Sequence, residues 1–170
     1  LGEGAGELVY REGPDHVVEL DPPHVRDVLK EALHTALAGV DPASLQAVAI
    51  TSQAQTFTVR SPDGRERIPF VSWRDSRCAE NNPAADALEG FAEHCSVDSC
   101  MPTLMVAKLA FMQEETNGML VGDDDAVLML PTWLVREWTG TAAVDRNLAA
   151  MSCMYSLLQE DWWCDALRVC

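Results

Sequence analysis

Apolar residues in this chain fall into short runs punctuated by turn formers, and the spacing inside each run predicts its element. The densest signal is the stretch 45–78, LQAVAITSQAQTFTVRSPDGRERIPFVSWRDSRC. Ala47-Val48-Ala49-Ile50 is a continuous apolar run of the kind that forms a buried strand, and it stops at the polar cluster Thr51-Ser52-Gln53. Thr56 to Val59 alternates and is β-branched, as strands prefer. Ser61-Pro62-Asp63-Gly64 predicts a tight turn, with Pro fixing one φ and Gly free to take a positive one. Ile68 to Val71 completes a hairpin and leads into Trp73-Arg74-Asp75-Ser76-Arg77. A strand and a hairpin therefore deliver two polar clusters, Gln53/Gln55 and Trp73/Asp75/Arg77, whose polar groups must find partners.

On either side the same reading gives alternating strands and helices. Glu7 to Arg11 and Val17 to Leu20 read as strands around the Gly13-Pro14 turn. Asp21-Pro22-Pro23 starts a helix, with Asp as cap and Pro in the first turn, where a missing N–H costs nothing. Val25, Val28, Leu29, Ala32, Ala36 and Leu37 follow at helical steps, and Gly39 closes the element. Asp41-Pro42 turns the chain back. Asn82-Pro83 starts a further helix through Phe91, and Pro102 opens one carrying Leu104, Met105, Lys108, Leu109 and Met112. Gly122 to Asp125 is an acidic turn without the alternating ligands and distal Glu of a calcium loop. Ala126 to Leu130 reads as a strand. Pro131 starts a helix that stops at Gly140. Strand and helix alternate, which is the α/β pattern.

At 170 residues the chain suits one domain spanning 1–170 with a sizeable core. A net charge of −15 excludes a nucleic-acid partner, which requires a basic face. No apolar stretch reaches the length of a membrane span. The opening LGEGAG has Glu7 where a G-x-G-x-x-G places its last glycine and no strand before it, so it reads as a loop, not a phosphate cradle. Leu1 is not a natural start, so a leader stays an open question. His24 and His34 read as solvated helix residues. The six cysteines, Cys78, Cys95, Cys100, Cys153, Cys164 and Cys170, include no C-x-x-C. His94-Cys95 with Cys100 fits no common zinc spacing, so no metal is expected, and free thiols point to the cytoplasm.

The polar clusters carry a family resemblance. Ile50-x-Ser52-Gln53, the Asp63-Gly64 turn and Pro69-x-x-x-Trp73-x-Asp75-x-Arg77 resemble, in order and spacing, the N-terminal domain of the FGGY carbohydrate kinases, a family that includes xylulokinase, glycerol kinase and gluconokinase. Pro102 with Lys108-Leu109 resembles the family's Pro-x-x-x-x-x-Lys-Leu. LPTWLVREWTGTAAVD, Asp145 to Met151 with a strand implied over Ser152 to Leu158, and Asp161-Trp162 at the start of a next helix extend the likeness over about Asp21 to Leu167.

The resemblance implies a ribonuclease H-like, actin-like ATPase N-terminal domain, a mixed sheet with flanking helices, here without the first hairpin. It implies the sugar-binding half of a kinase in which an aspartate deprotonates a sugar hydroxyl for in-line attack on the γ-phosphate of ATP–Mg²⁺. The family's phosphate-handling Asp-x-Gly-Thr hairpin, its catalytic aspartate and its nucleotide-binding half are not in this sequence. No catalytic residue is therefore expected within 1–170, no cofactor is expected to bind this chain, and alone it should be inactive. Its expected partners are a small sugar or polyol and the missing C-terminal half, and a homodimer is compatible with the pattern. The candidate substrate-binding residues are Ala54, Gln55, Trp73, Asp75, Arg77 and Thr103. Gln55 stands where relatives place a sugar-contacting His or Glu, and an amide both donates to and accepts from hydroxyls. Trp73 can pack its face on a sugar's C–H surface or, alternatively, serve as a core aromatic. Asp75 can accept from a hydroxyl with Arg77 orienting it, or the two can form an ion pair that fixes the strand end. Ala54-Gln55, Thr103 and Trp-Arg-Asp-Ser-Arg depart from the xylulokinase and glycerol kinase patterns, which leaves the sugar open. The competing readings are a binding module that does not phosphorylate its ligand and an unrelated α/β or actin-like domain.

Overall fold

A computed structural model describes residues 2–95 and 97–170; Leu1, the first residue of the glycine-rich opening, lies outside them. Five strands form one sheet: β1 (Tyr10–Glu12), β2 (Val18–Leu20), β3 (Phe57–Arg60), β4 (Phe70–Val71) and β5 (Ala126–Met129). Their order is β1-β2-β4-β3-β5, and every pairing is antiparallel. Two short strands, β6 (Tyr155–Ser156) and β7 (Asp161–Trp162), pair separately. The helices are α1 (Pro22–Ala36), α2 (Pro83–Ala87), α3 (Phe91–Cys95), α4 (Met105–Glu115), α5 (Leu130–Thr139), α6 (Arg146–Met151) and α7 (Cys164–Val169).

Period-two alternation divides the sheet between two cores. Phe57, Val59, Val71 and Met129 pack with Val106 and Leu109 of α4 and with Trp163 and Ala166 near α7. Leu20, Phe70 and Leu128 pack with Val25 of α1 and Trp133 and Leu134 of α5. Phe70 meets Trp133 edge to face at 5.1 Å, and the buried indole donates to Glu66 Oε1 at 2.8 Å, which satisfies its N–H. Helices thus cover both faces of a central sheet.

Caps follow the sequence. Asp21 accepts from the His24 amide at 3.2 Å, Asn82 from Ala85 at 3.2 Å, and Asp145 from Leu148 at 2.9 Å. Gly64 takes φ +88°, and its N–H closes the predicted turn onto Ser61 O at 3.0 Å. The glycine-rich opening lies flat along α1: a Cβ on Gly4 would sit 1.9 Å from the Ala32 carbonyl oxygen. Those glycines serve close backbone approach, not a phosphate.

Several expectations are corrected. Ala47 to Ile50 forms no strand, and Val48 is 67% exposed. A strand needs a neighbour to pair its N–H and C=O groups, and among the described residues no strand runs beside this run. The sheet is accordingly antiparallel throughout the described residues where a mixed one was expected. The helix expected from Asn82 to Phe91 is two, α2 and α3, separated by the turn from Leu88 to Gly90, where Gly90 takes φ +69°. Ser152 to Leu158 contributes only Tyr155–Ser156 to a strand. Asp161-Trp162 forms β7, and the helix after it begins at Cys164.

Candidate functional site

Two backbone segments, one entering β3 and one leaving β4, form the walls of an open cleft of about 650 Å³ lined by Gln53, Ala54, Gln55, Trp73, Arg74, Thr103 and Met151. Thr56 joins the walls: its hydroxyl oxygen accepts from the Trp73 N–H at 2.9 Å, and its carbonyl accepts from the Leu130 N–H at 2.9 Å. Trp73 is 48% exposed. The indole therefore presents part of its surface to the cleft, and the core-aromatic alternative does not describe it.

Gln55 is held at φ +65°, a left-handed conformation that strains a residue with a Cβ. Its surroundings account for this. The side-chain oxygen accepts from the Met105 N–H at 2.5 Å, capping α4, whose N-cap residue Leu104 has no side-chain cap of its own. The side-chain nitrogen donates to the Met151 carbonyl at the end of α6. The Gln55 carbonyl accepts from Lys108 Nζ at 3.0 Å. One amide thus ties α4 to α6 and still borders the cleft, with one N–H and one oxygen lone pair beyond those two bonds.

The remaining predicted residues divide. Ala54 and Thr103 line the same cleft as Gln55 and Trp73. Asp75 and Arg77 do not. Asp75 is fully buried. Its Oδ2 accepts from the Val18 N–H at 2.7 Å and Arg77 Nη2 at 2.8 Å, and its Oδ1 accepts from Arg77 N at 3.1 Å and Nε at 3.0 Å. Arg77 also donates to Glu19 at 2.9 Å. Burial pulls the guanidinium's pKa down, but its bonds to Asp75 and Glu19 outweigh this and hold it above the ordinary value. In place of a hydroxyl acceptor, Asp75 is the centre of an ion pair that anchors β2 to the segment after β4. The cause is a turn: the Asp75 N–H donates to Ser72 O at 3.0 Å, so Trp73 and Asp75 do not share a face as they would on an extended strand.

Sequence reasoning assigned no role to Lys108, Thr56 or Met151. Lys108 is fully buried, its ammonium donating to the carbonyls of Gln55 at 3.0 Å and Ser72 at 2.7 Å. Burial lowers its pKa to about 8, with Asp75 and Cys78 opposing the shift. The signal was present as one lysine inside the apolar run MVAKLAFM. The thiols Cys78, Cys95, Cys100 and Cys153 are buried, and all six cysteines are unpaired. His94 is stacked on Trp163 at 4.2 Å and bonded to Ser156 Oγ at 2.7 Å.

Chemically, the lining offers amides, an indole face, a hydroxyl and a guanidinium. That set can hydrogen-bond a polyhydroxylated molecule and pack against its C–H surface. No carboxylate lines the cleft among the described residues, so these groups can bind a hydroxyl but have no base to deprotonate it.

No curated protein sequence matches the chain significantly. Among solved structures it is similar to a xyloylose kinase from Brucella ovis, with a TM-score of 0.83 at 20% identity, covering 97% of this chain and 34% of that one. A gluconate kinase from Lactobacillus acidophilus gives 0.83 at 16% identity, covering 96% and 33%. A Plasmodium falciparum glycerol kinase with ADP gives 0.75 at 15% identity, covering 99% and 35%. The chain therefore spans about a third of the length of these kinases, with which it shares the actin-like ATPase fold. The family profile described as "FGGY family of carbohydrate kinases, N-terminal domain" matches residues 13–170. With nearly the whole sequence matched on this fold, the chain belongs to the FGGY family of carbohydrate kinases, within its N-terminal domain.

Proposed function

We propose that residues 1–170 form one domain, the sugar-binding part of an ATP-dependent carbohydrate kinase that phosphorylates a ketose, polyol or aldonate in the cytoplasm. The observation that supports this most is that Gln55 and Trp73, 18 residues apart in sequence, border one cleft. A hydrogen-bonding amide beside a half-exposed indole is the combination that a polyol recognises. The names of the similar kinases, xyloylose, gluconate and glycerol, define the substrates to try first.

The glycine-rich opening does not fit a phosphate cradle, and among the described residues no three metal-ligating side chains converge. The glycine-rich opening, the one candidate phosphate loop, lies against the backbone of α1. ATP and Mg²⁺, which the family uses, are assigned to the rest of the kinase.

Titrating the chain with D-xylulose, D-gluconate and glycerol, followed by thermal shift and calorimetry, tests the proposal. At least one of them is expected to bind and raise the melting temperature, because a ligand that binds only the folded state stabilises it. Trp73→Ala is expected to shrink that shift. If none of the three binds, or if Trp73→Ala binds as well as wild type, the proposal fails. In a kinase that contains this chain, Trp73→Ala raises the sugar KM and leaves the ATP KM nearly unchanged. Equal losses for both ligands would show a structural role only.

A further inference from the structure

Lys108 sits inside α4 among Met105, Val106, Ala107, Leu109 and Ala110, all buried, and is itself fully buried. An ammonium in such a slot is expensive, and an apolar side chain would fill the space without that penalty. Among the described residues no carboxylate forms a salt bridge with it, since Asp75 is taken by Arg77 and the Val18 amide. What compensates the charge is two backbone carbonyls and the Phe57 ring, whose centroid is 5.8 Å from Nζ. Those carbonyls belong to Gln55, just before β3, and to Ser72, just after β4. Gln55 is itself a cleft residue, and the residue after Ser72 is Trp73. The lysine therefore bridges the two walls from behind, and no apolar residue can make that tie.

We infer that Lys108 is a positioning residue: by holding the carbonyls of Gln55 and Ser72 together, its ammonium fixes the spacing of the Gln55 and Trp73 walls and so the affinity of the cleft. The link to affinity rests on the sugar-binding reading above. Among the described residues, the titratable groups whose charge reaches Nζ are Asp75, Cys78 and Arg77, all on the segment that leaves β4. From β3 the Phe57 ring lies over it. Burial brings the ammonium's pKa to about 8. Losing the proton turns two charge-assisted bonds into weaker neutral ones, so the tie loosens just above neutrality.

The test has a sugar-free arm and a sugar arm. In the free chain, the Trp73 indole N–H resonance, assigned with Trp73→Phe, is followed by NMR from pH 6.5 to 9.5. It is expected to shift with a midpoint near 8, to keep that midpoint in Cys78→Ser, and to lose the transition in Lys108→Arg, whose charge persists. In the sugar arm, affinity for D-xylulose, D-gluconate or glycerol is expected to weaken about fivefold between pH 7 and 9.5, in keeping with the weaker neutral bonds. Lys108→Met is expected to bind weakly at every pH. A pH-independent indole resonance overturns the inference, as does a midpoint that disappears in Cys78→Ser, even if a sugar binds. These two results need no Lys108 variant to fold. An indole that titrates while no probe binds defeats the sugar reading and the affinity claim but leaves the Lys108 tie standing.

Discussion

Asp75 and Trp73 lie two residues apart, arrive in the same polar cluster, and meet opposite fates. Trp73 stays half exposed on an open cleft, whereas Asp75 vanishes into the domain with both oxygens fully engaged. The one-residue alternation of an extended strand would have placed them on a common face. The turn closed by the Asp75 N–H on Ser72 O cancels that alternation. Charge and burial then decide the rest. A carboxylate with a guanidinium and two backbone amides in reach is best satisfied inside, while an indole can lie on the surface at small cost. One segment thus supplies both an anchor and a binding wall, and the contrast between them can be broken by experiment.

The anchor should give the largest effect. Asp75→Ala leaves Arg77 with Glu19 alone and orphans the Val18 amide; breaking a buried pair in this way is expected to cost about 3–4 kcal/mol of stability, read from denaturant unfolding. A loss below about 1 kcal/mol would mean that the ion pair is not an anchor. Next comes the lysine behind the wall. Its pKa is lowered in the folded state from the usual 10.5 to about 8. Between those values the unfolded chain holds a proton that the folded chain has released, so stability rises with pH across the window. Below pH 8 the full penalty, roughly 3 kcal/mol, is present. Comparing wild type with Lys108→Met at pH 7.5 and pH 10 isolates this contribution, because other groups titrate in both. The wall residue follows: Trp73→Ala is expected to weaken sugar binding about tenfold, roughly 1.4 kcal/mol, while shifting stability by less than about 1 kcal/mol. Smallest is Arg74→Ala, which removes an exposed pair with Glu12 and should change stability by no more than about 0.5 kcal/mol in unfolding experiments.

Local signals proved the most legible in the sequence. The Asp21 cap, the Asn82-Pro83 helix start, the Asp63-Gly64 turn and the alternation in β3 depend on neighbours a few residues away, and each forms. Ala47 to Ile50 was misread because a strand is a property of two segments, and apolar character cannot report whether a partner is adjacent. The Asn82–Phe91 run is two helices because the backbone already leaves helical geometry at Leu88, with φ −97° and ψ 88°, and Gly90 follows at φ +69° before α3 begins. In the candidate site, Gln55 and Trp73 could be picked out, since polar or amphipathic residues at strand ends are conspicuous. Lys108 stands out only as one lysine inside the apolar run MVAKLAFM, and only the fold shows which carbonyls it faces. Asp75 with Arg77 fits two roles on spacing alone, and the turn after β4, invisible to periodicity, separates them from the cleft.

Gln55 carries a consequence for anyone who would retarget this cleft. The position that borders the ligand is also the strut between α4 and α6, held in a backbone shape that penalises most replacements. Changing it to select another substrate would let two helices drift as well, so selectivity and architecture cannot be tuned separately there. Variation is better begun at Ala54 and Thr103, for which no such tie is seen.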